Sequence, residues 1–431
     1  MHPFFRSGNR PMWVSAVLPF NVALGPVSTL VQLLILELNG TVVEVGLAIT
    51  LFNAVSIPAA LFWGYVTDRF QHRKLLVLCS FLVTPLLLIL FLFARSIYTI
   101  SFLYALFSIA IMASTTPLNL LVMETEQKSK WASAFANFSM ISSIGQTTGL
   151  LLGMIWSFYV PLEYLVVPLA GFSLLSTGLA SFLIKEPPMV FERQIMLMNK
   201  HSFFHRLHHS PYLFLKVPSS LDFKRVFRKM PSGMIHYSTL LYMAIFGFFL
   251  SSGIFNTSFV PLLKANDISS LLIFSVIMAG MIVQIISFQF TGSYTEHKSP
   301  LKSTITGLVL RAIGLGLLGI FAYFLTGFWL FVPALFLYPL IAGIAYAIYY
   351  TASNTLVFNS LSPRRNGSML GVYSALAGAA TMIGSFISGF LSFYLGYHVT
   401  FIISAACLVV SVLLLYLTQN SRVGINLSTA H

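Results

Sequence analysis

The chain has 431 residues, 57% of them hydrophobic and only 8% Asp, Glu, Lys or Arg, with a formal net charge of +13. An ordinary soluble domain carries about 25% charged residues, so this composition excludes a soluble globular surface and reads as an integral membrane protein. The two cysteines, Cys79 and Cys407, sit in separate apolar runs, which leaves no disulfide framework and no cysteine metal site.

The N-terminal stretch MHPFFRSGNRP is short and basic, and a long apolar run follows it. A cleavable signal has a shorter apolar region and a small-residue cleavage site, so this run is expected to stay as a membrane span. A spanning helix needs about 20 mostly apolar residues. Twelve stretches qualify, spans 1 to 12, at about 12–36, 42–66, 74–94, 97–120, 131–157, 162–184, 236–263, 270–292, 301–324, 329–357, 366–395 and 398–418. Barrel strands are ~10 residues long with alternating polarity. These continuous runs therefore predict helices, which bond their own backbone in lipid. With the N-terminus inside, 21 of the 24 Lys and Arg fall in inner segments, while Arg95 and Lys264 are outer and Arg311 lies within a span. Such asymmetry fixes orientation, so a multi-pass cell-membrane protein with both termini cytoplasmic is expected, and the positive charge implies no nucleic acid.

The one long polar break divides the chain into an N-terminal six-helix bundle (1–184), a basic cytoplasmic loop (185–235) and a C-terminal six-helix bundle (236–431). The loop holds nine Lys and Arg, interleaved with Phe203, Phe204, Phe214 and Phe227. That pattern suits the anionic inner leaflet. His201, His205, His208 and His209 share a helical face there, but no acid or cysteine accompanies them, so a membrane-surface segment is favoured over a metal site.

Span 2 ends in Gly64-Tyr65-Val66-Thr67-Asp68-Arg69, and span 8 ends in Gly292-Ser293-Tyr294-Thr295-Glu296-His297. The same residue types recur at the inner end of the second helix of each half, as in a duplicated unit. Here the chain resembles the major facilitator superfamily, whose signature between helices 2 and 3 reads G-x-x-x-D-[RK]-x-G-[RK]-[RK]. Gly64, Asp68, Arg69 and Arg73 match in register; Gln71 and His72 depart from it, and Lys74 follows. In the second copy Gly292 and Glu296 match, and Ser299 replaces the glycine. The residues alone suggest that Gly64 admits a neighbouring helix and that Asp68 accepts from a helix N-terminus or pairs with a base. The resemblance implies that this loop latches the halves in the outward-open state. It also implies that helices 1, 4, 7 and 10 line a central cavity, flanked by 2, 5, 8 and 11.

Polar residues within spans usually face the bundle interior. Span 1 carries Asn21, Gly25, Ser28 and Gln32 on one face; span 2 has Asn53 and Ser56. Span 4 carries Ser101, Tyr104, Ser108, Thr115 and Asn119; span 5 has Ser139, Ser142 and Gln146. Span 7 has Tyr242, Ser252 and Asn256, span 8 has Gln284, and span 10 has Tyr346, Tyr350, Ser353 and Asn354. The Asn, Gln and Tyr members are the candidate solute site; the Ser, Thr and Gly members read first as helix-packing faces. Spans 3, 6 and 12 are nearly uninterrupted apolar sequence and are expected to face lipid. Gly145, Gly149 and Gly153 in span 5, and Gly371, Gly378, Gly384 and Gly389 in span 11, are expected to form seams on which the halves rock. The Gly-Pro pair common in helix 5 of the family's proton antiporters is absent.

No Asp or Glu lies deep in a span; Glu37, Glu44 and Glu163 sit at outer ends. That argues against a cationic solute. It leaves a proton as a candidate coupling ion, with Glu37 and Glu44 the available carriers, although solvated loop acids are the favoured reading of both. Arg311 follows Lys302 by nine residues, about 13 Å along a helix, close to the middle of a ~30 Å core. It reads either as an anion site or as a structural charge, the latter favoured because span 9 is peripheral in the family's fold.

The expected fold is an all-α integral membrane protein with two pseudo-symmetric six-helix bundles. The expected function is secondary active transport of a small, neutral or amphipathic organic solute by alternating access. No P-loop is present, no cofactor or metal is called for, and the chain is expected to be a monomer and not an enzyme. The alternatives are a sensor built on a transporter fold, and efflux of hydrophobic compounds as against uptake of a metabolite.

Overall fold

The structure, a computed structural model, describes residues 13–69, 73–125, 131–184, 232–297, 299–360 and 366–428. The basic central loop and its histidines lie outside these residues. Among the described residues, twelve helices are long and apolar enough to cross a membrane. Nine spans are single helices: Val42–Arg69, Ile97–Thr125, Trp131–Tyr159, Val166–Leu183, Ser232–Ala265, Ser270–His297, Pro300–Phe324, Asn366–Leu395 and Tyr397–Ser428 (spans 2, 4 to 9, 11 and 12). Span 3 is Arg73–Leu90 closed by a tight turn at Phe91–Phe93.

Spans 1 and 10 are interrupted. Span 1 is two helices, Val14–Leu24 and Val27–Glu37, jointed at Gly25 and Pro26. Pro26 has no N–H to continue the ladder, and a side chain at Gly25 would overlap the backbone of Gln146 in span 5. Span 10 runs Phe328–Tyr338, then a π-helical stretch Pro339–Ile344, then Ala345–Ser360. Such π segments are rare and concentrate at functional sites.

The first span of each half ends in the same way. Asn39 (φ 60°) and Asp267 (φ 57°) take the left-handed conformation, which Asn and Asp tolerate better than other side chains. Gly40 N–H then donates to Ile35 O at 2.9 Å, and Ile268 N–H to Leu263 O at 3.2 Å. These are the reach-back bonds of a Schellman cap, built once in each half.

Packing repeats as well. Span 1 packs on spans 5 and 6, span 2 on span 4, and span 3 on spans 4 and 6. In the second half span 7 packs on spans 11 and 12, span 8 on span 10, and span 9 on spans 10 and 12. Buried hydroxyls tie these contacts: Ser251 to Ser404 at 2.8 Å, Ser258 to Ser392 at 2.7 Å, and Ser173 to the Phe81 carbonyl at 2.9 Å. Leu82, Leu86, Leu175, Phe182, Leu413 and Leu417 on spans 3, 6 and 12 are exposed, as lipid-facing side chains are. Span 9 shares this position, with Val309, Ile313, Leu317 and Ile320 exposed along one face.

The halves meet through span 2 against span 11 and span 5 against span 8, the same pairing exchanged. Glycines set how closely. A Cβ on Gly46 would stand 3.0 Å from Ser385 O and 3.1 Å from Gly389 Cα, and one on Gly389 would stand 3.1 Å from Val43 Cα. Gly153 faces the Phe274 ring, 3.1 Å from such an atom. The expected glycine seams are thus corrected in part. Gly145 and Gly149 pack on Leu18, Asn21 and Val22 of span 1, and Gly384 on Leu250 of span 7, each within its own half. Eight residues turn a helix by about 80° beyond full circles, so Gly145 and Gly153 do not share a face.

Candidate functional site

A cavity of about 610 Å³ lies between the halves, a size that suits a drug-sized molecule. Spans 1, 4 and 5 line it from one side and spans 7 to 11 from the other. A smaller cavity of about 300 Å³ adjoins it and shares Asn256 and Thr381.

Of the expected solute-site residues, Asn21, Asn119, Gln146, Asn256, Gln284, Tyr346 and Tyr350 line the main cavity. Asn53 lines the smaller one. Gln32 and Asn354 line neither. Gln32 is buried in the second helix of span 1 with its Oε1 lacking a hydrogen-bond partner; it stands eleven residues past Asn21, about 16 Å further along the span. Asn354 is eight residues past Tyr346, about 80° round the helix. Phe249, Met281, Phe288, Tyr338 and Thr381 also line the cavity and escaped the sequence reading. Met281 and Phe288 flank Gln284 at helical spacing, so that stripe was readable. Tyr338, Ala342, Tyr346 and Tyr350 recur every fourth residue, a period an α-helix rotates away; the π turn keeps them on the cavity wall.

The two walls differ in chemistry. On the first half, Asn21 donates to the Val17 carbonyl at 3.0 Å and to Ser142 Oγ at 3.4 Å, and Gln146 Nε2 donates to Asn21 Oδ1 at 3.4 Å. This neutral amide network joins spans 1 and 5. On the second half, Tyr346 and Tyr350 stack at 5.6 Å, with Phe288 edge-on at 6.4 and 6.1 Å.

Arg311 joins that second wall. It is 2% exposed, and its guanidinium carbon lies 4.7 Å from the Phe248 centroid and 5.8 Å from that of Phe255. Nε and Nη1 have no hydrogen-bond partner. Gly307 and Gly314, one turn to either side, share its helix face. A Cβ on Gly307 would come within 2.8 Å of Tyr349 N, and one on Gly314 within 2.6 Å of Ile341 Cγ1. Their bareness lets the peripheral span 9 press onto span 10, so that the long Arg311 side chain reaches the cavity. A cation–π contact is worth about 0.5–2 kcal/mol, against a cost on the order of several kcal/mol for taking an ion out of water. The rings alone leave this charge undercompensated. No Asp, Glu, Lys or His is among the described residues lining the cavity.

Among the described residues, nothing lies within 4 Å of where a Cβ on Gly64 would sit. The helices run through Asp68, Arg69, Gly292 and Glu296; their side chains lie outside the described residues. Arg73 opens span 3, and Lys74 Nζ donates to the Ser181 carbonyl at 2.6 Å.

At the N-terminal end of span 2 Glu44 accepts the Thr41 N–H at 2.8 Å, and Thr41 Oγ1 accepts the Val43 N–H at 3.2 Å. This is the capping-box arrangement that starts span 2. Glu163 pairs with Arg95 at 3.6 Å in an exposed ion pair.

The Major Facilitator Superfamily model matches residues 13–338 and, in a second overlapping match, 241–429. A search of curated protein sequences found no match. Among solved structures, the nucleoside transporter NupG superposes with a TM-score of 0.67 at 14% identity, covering 95% of this chain and 98% of that one. A POT family transporter in complex with a thioalcohol-conjugated peptide gives 0.71 at 12% identity, covering 97% and 98%. The peptide transporter POT in complex with sulfate gives 0.68 at 13% identity, covering 97% and 96%. At these identities the likeness speaks for the fold alone. Because the family model spans both halves of the chain, and those halves pack as the same unit twice over, the chain belongs to the major facilitator superfamily.

Proposed function

We propose that the chain is a secondary active transporter that carries a small organic solute through the membrane by rocking its two halves about the central cavity, without altering the solute chemically. The observation that carries this is the shape of the contact between halves. Backbone contacts at Gly46 and Gly389 join spans 2 and 11 at the end away from the basic loops, whereas no described residue lies within 4 Å of a Cβ at Gly64, the end we take as open, and the cavity lies between. Positive-inside placement of the basic loops puts the open end at the cytoplasm, with both termini, in the cell membrane. This is the inward-facing member of an alternating-access pair. We take the working unit to be a monomer, since the cavity is completed within one chain. Glu44 serves a helix cap, so of the two proton carriers read from the sequence, Glu37 and Glu44, Glu37 is the one we assign to a coupling proton.

The test is flux in proteoliposomes from a labelled panel of nucleosides, dipeptides and aromatic carboxylates. Nucleosides and dipeptides enter because the proteins of similar fold are a nucleoside and a peptide transporter. Val43→Cys with Gly389→Cys places two thiols across the outer seam, within disulfide reach. Oxidation is expected to stop flux and reduction to restore it. Flux that continues through the cross-linked protein would rule out rocking at this seam.

A further inference from the structure

The cavity has one charged group among its described lining, and that group is a buried guanidinium with two nitrogens lacking partners. We propose that the transported solute is an amphipathic organic anion whose acidic group is held by Arg311. This rests on the transporter reading only in taking the central cavity as the solute site, and it narrows the neutral or amphipathic class expected from sequence.

Three features converge on it. Guanidinium is planar and matches the oxygens of a carboxylate, phosphonate or sulfonate with parallel hydrogen bonds. The Phe248 ring is held against Tyr349 at 3.5 Å on its other side, so it fixes the guanidinium plane without neutralising its charge. The close contacts at Gly307 and Gly314 hold span 9 so that Arg311 reaches the cavity, whereas a merely structural arginine in a peripheral span can snorkel to the surface.

The rest of the cavity describes the rest of the solute. The stacked pair Tyr346 and Tyr350, with Phe288 edge-on, gives an aromatic or other apolar body a surface beside the cation. Across the cavity, Asn21 and Gln146 offer amide groups to a neutral polar substituent. The acid would be bound by one half and the polar substituent by the other. Such a solute bridges the halves, which gives its binding a direct purchase on their rocking.

The experiment compares phenylacetate and phenylphosphonate with the neutral phenylacetamide, as ligands of the purified full chain, by thermal shift and titration calorimetry. At least one anion is expected to bind and stabilise where the amide does not. Arg311→Gln is expected to weaken that anion by about 10- to 100-fold, the usual worth of a charge-assisted hydrogen bond. Arg311→Lys, which keeps the charge and loses the planar fork, should retain part of the binding, and it replaces Arg311→Gln if that variant does not fold. A phenylacetamide response equal to that of the better anion, no response to any of the three, or an anion preference that survives Arg311→Gln would overturn the proposal. None of those results touches the cross-linking test, which does not depend on solute class, so the transporter reading stands or falls separately.

Discussion

Gly389→Leu isolates the seam that the rocking model depends on. A Cβ at this position would stand 3.1 Å from both Val42 O and Val43 Cα. Both atoms are backbone, so no side-chain rotation relieves the contact, and a leucine adds three more carbons beyond it. Overpacking of this kind costs about 1–3 kcal/mol. The cost falls only on the state in which spans 2 and 11 touch at the outer end, because in the alternative state that seam has parted. The equilibrium is therefore expected to move about 5- to 150-fold towards the outward-open state. The assay is electron paramagnetic resonance of spin labels on Tyr98→Cys and Tyr394→Cys, two exposed outer-end positions of spans 4 and 11, with Cys79 and Cys407 replaced by serine. Gly389→Leu should add a longer distance to the distribution. Gly316→Leu, where a Cβ meets nothing within 4 Å, should not. An unchanged distribution in folded Gly389→Leu would refute the claim that this contact holds the outer side closed.

Arg311→Met should raise the thermal stability of the solute-free protein, by about 1–3 kcal/mol, because it removes a buried charge that the rings only partly compensate; a lower melting temperature would mean that Arg311 is structural. Glu37→Gln should flatten the pH dependence of flux in proteoliposomes, and an unchanged profile would remove Glu37 as the proton carrier. Asn39→Ala and Asp267→Ala should each destabilise by about 1–2 kcal/mol, the cost of a Cβ-bearing residue without a short polar side chain in the left-handed region, as read from chemical denaturation. Markedly unequal losses would argue that the two caps are not equivalent.

The spans were legible because a ~30 Å apolar layer imposes length and composition on any helix that crosses it. The repeat was legible because Gly64 to Arg69 and Gly292 to His297 sit at matching ends. Single polar residues marked much of the candidate cavity, since Asn21, Gln146, Asn256 and Gln284 have few other reasons to lie in a span. Sequence spacing failed where the helix departs from ideal geometry. Tyr338 reads off-face until the π turn brings it round. Arg311 was visible as an odd charge, but its reach into the cavity depends on Gly307 and Gly314 meeting Tyr349 and Ile341, contacts far apart in the chain. Both Schellman caps went unread, although Asn39-Gly40 and Asn266-Asp267 carry their signal.

The most direct test of the account is the accessibility of the cavity from each face of the membrane. Asn256→Cys, at an exposed position lining both cavities, would be placed in the Cys79→Ser, Cys407→Ser background and treated in oriented vesicles with an impermeant thiosulfonate. Without a cross-link, the thiol should react from both faces. With the Val43→Cys, Gly389→Cys disulfide formed, it should react only from the face carrying the basic loops. Reaction from the opposite face that is unaffected by the disulfide, or never observed without it, would contradict alternating access through this cavity.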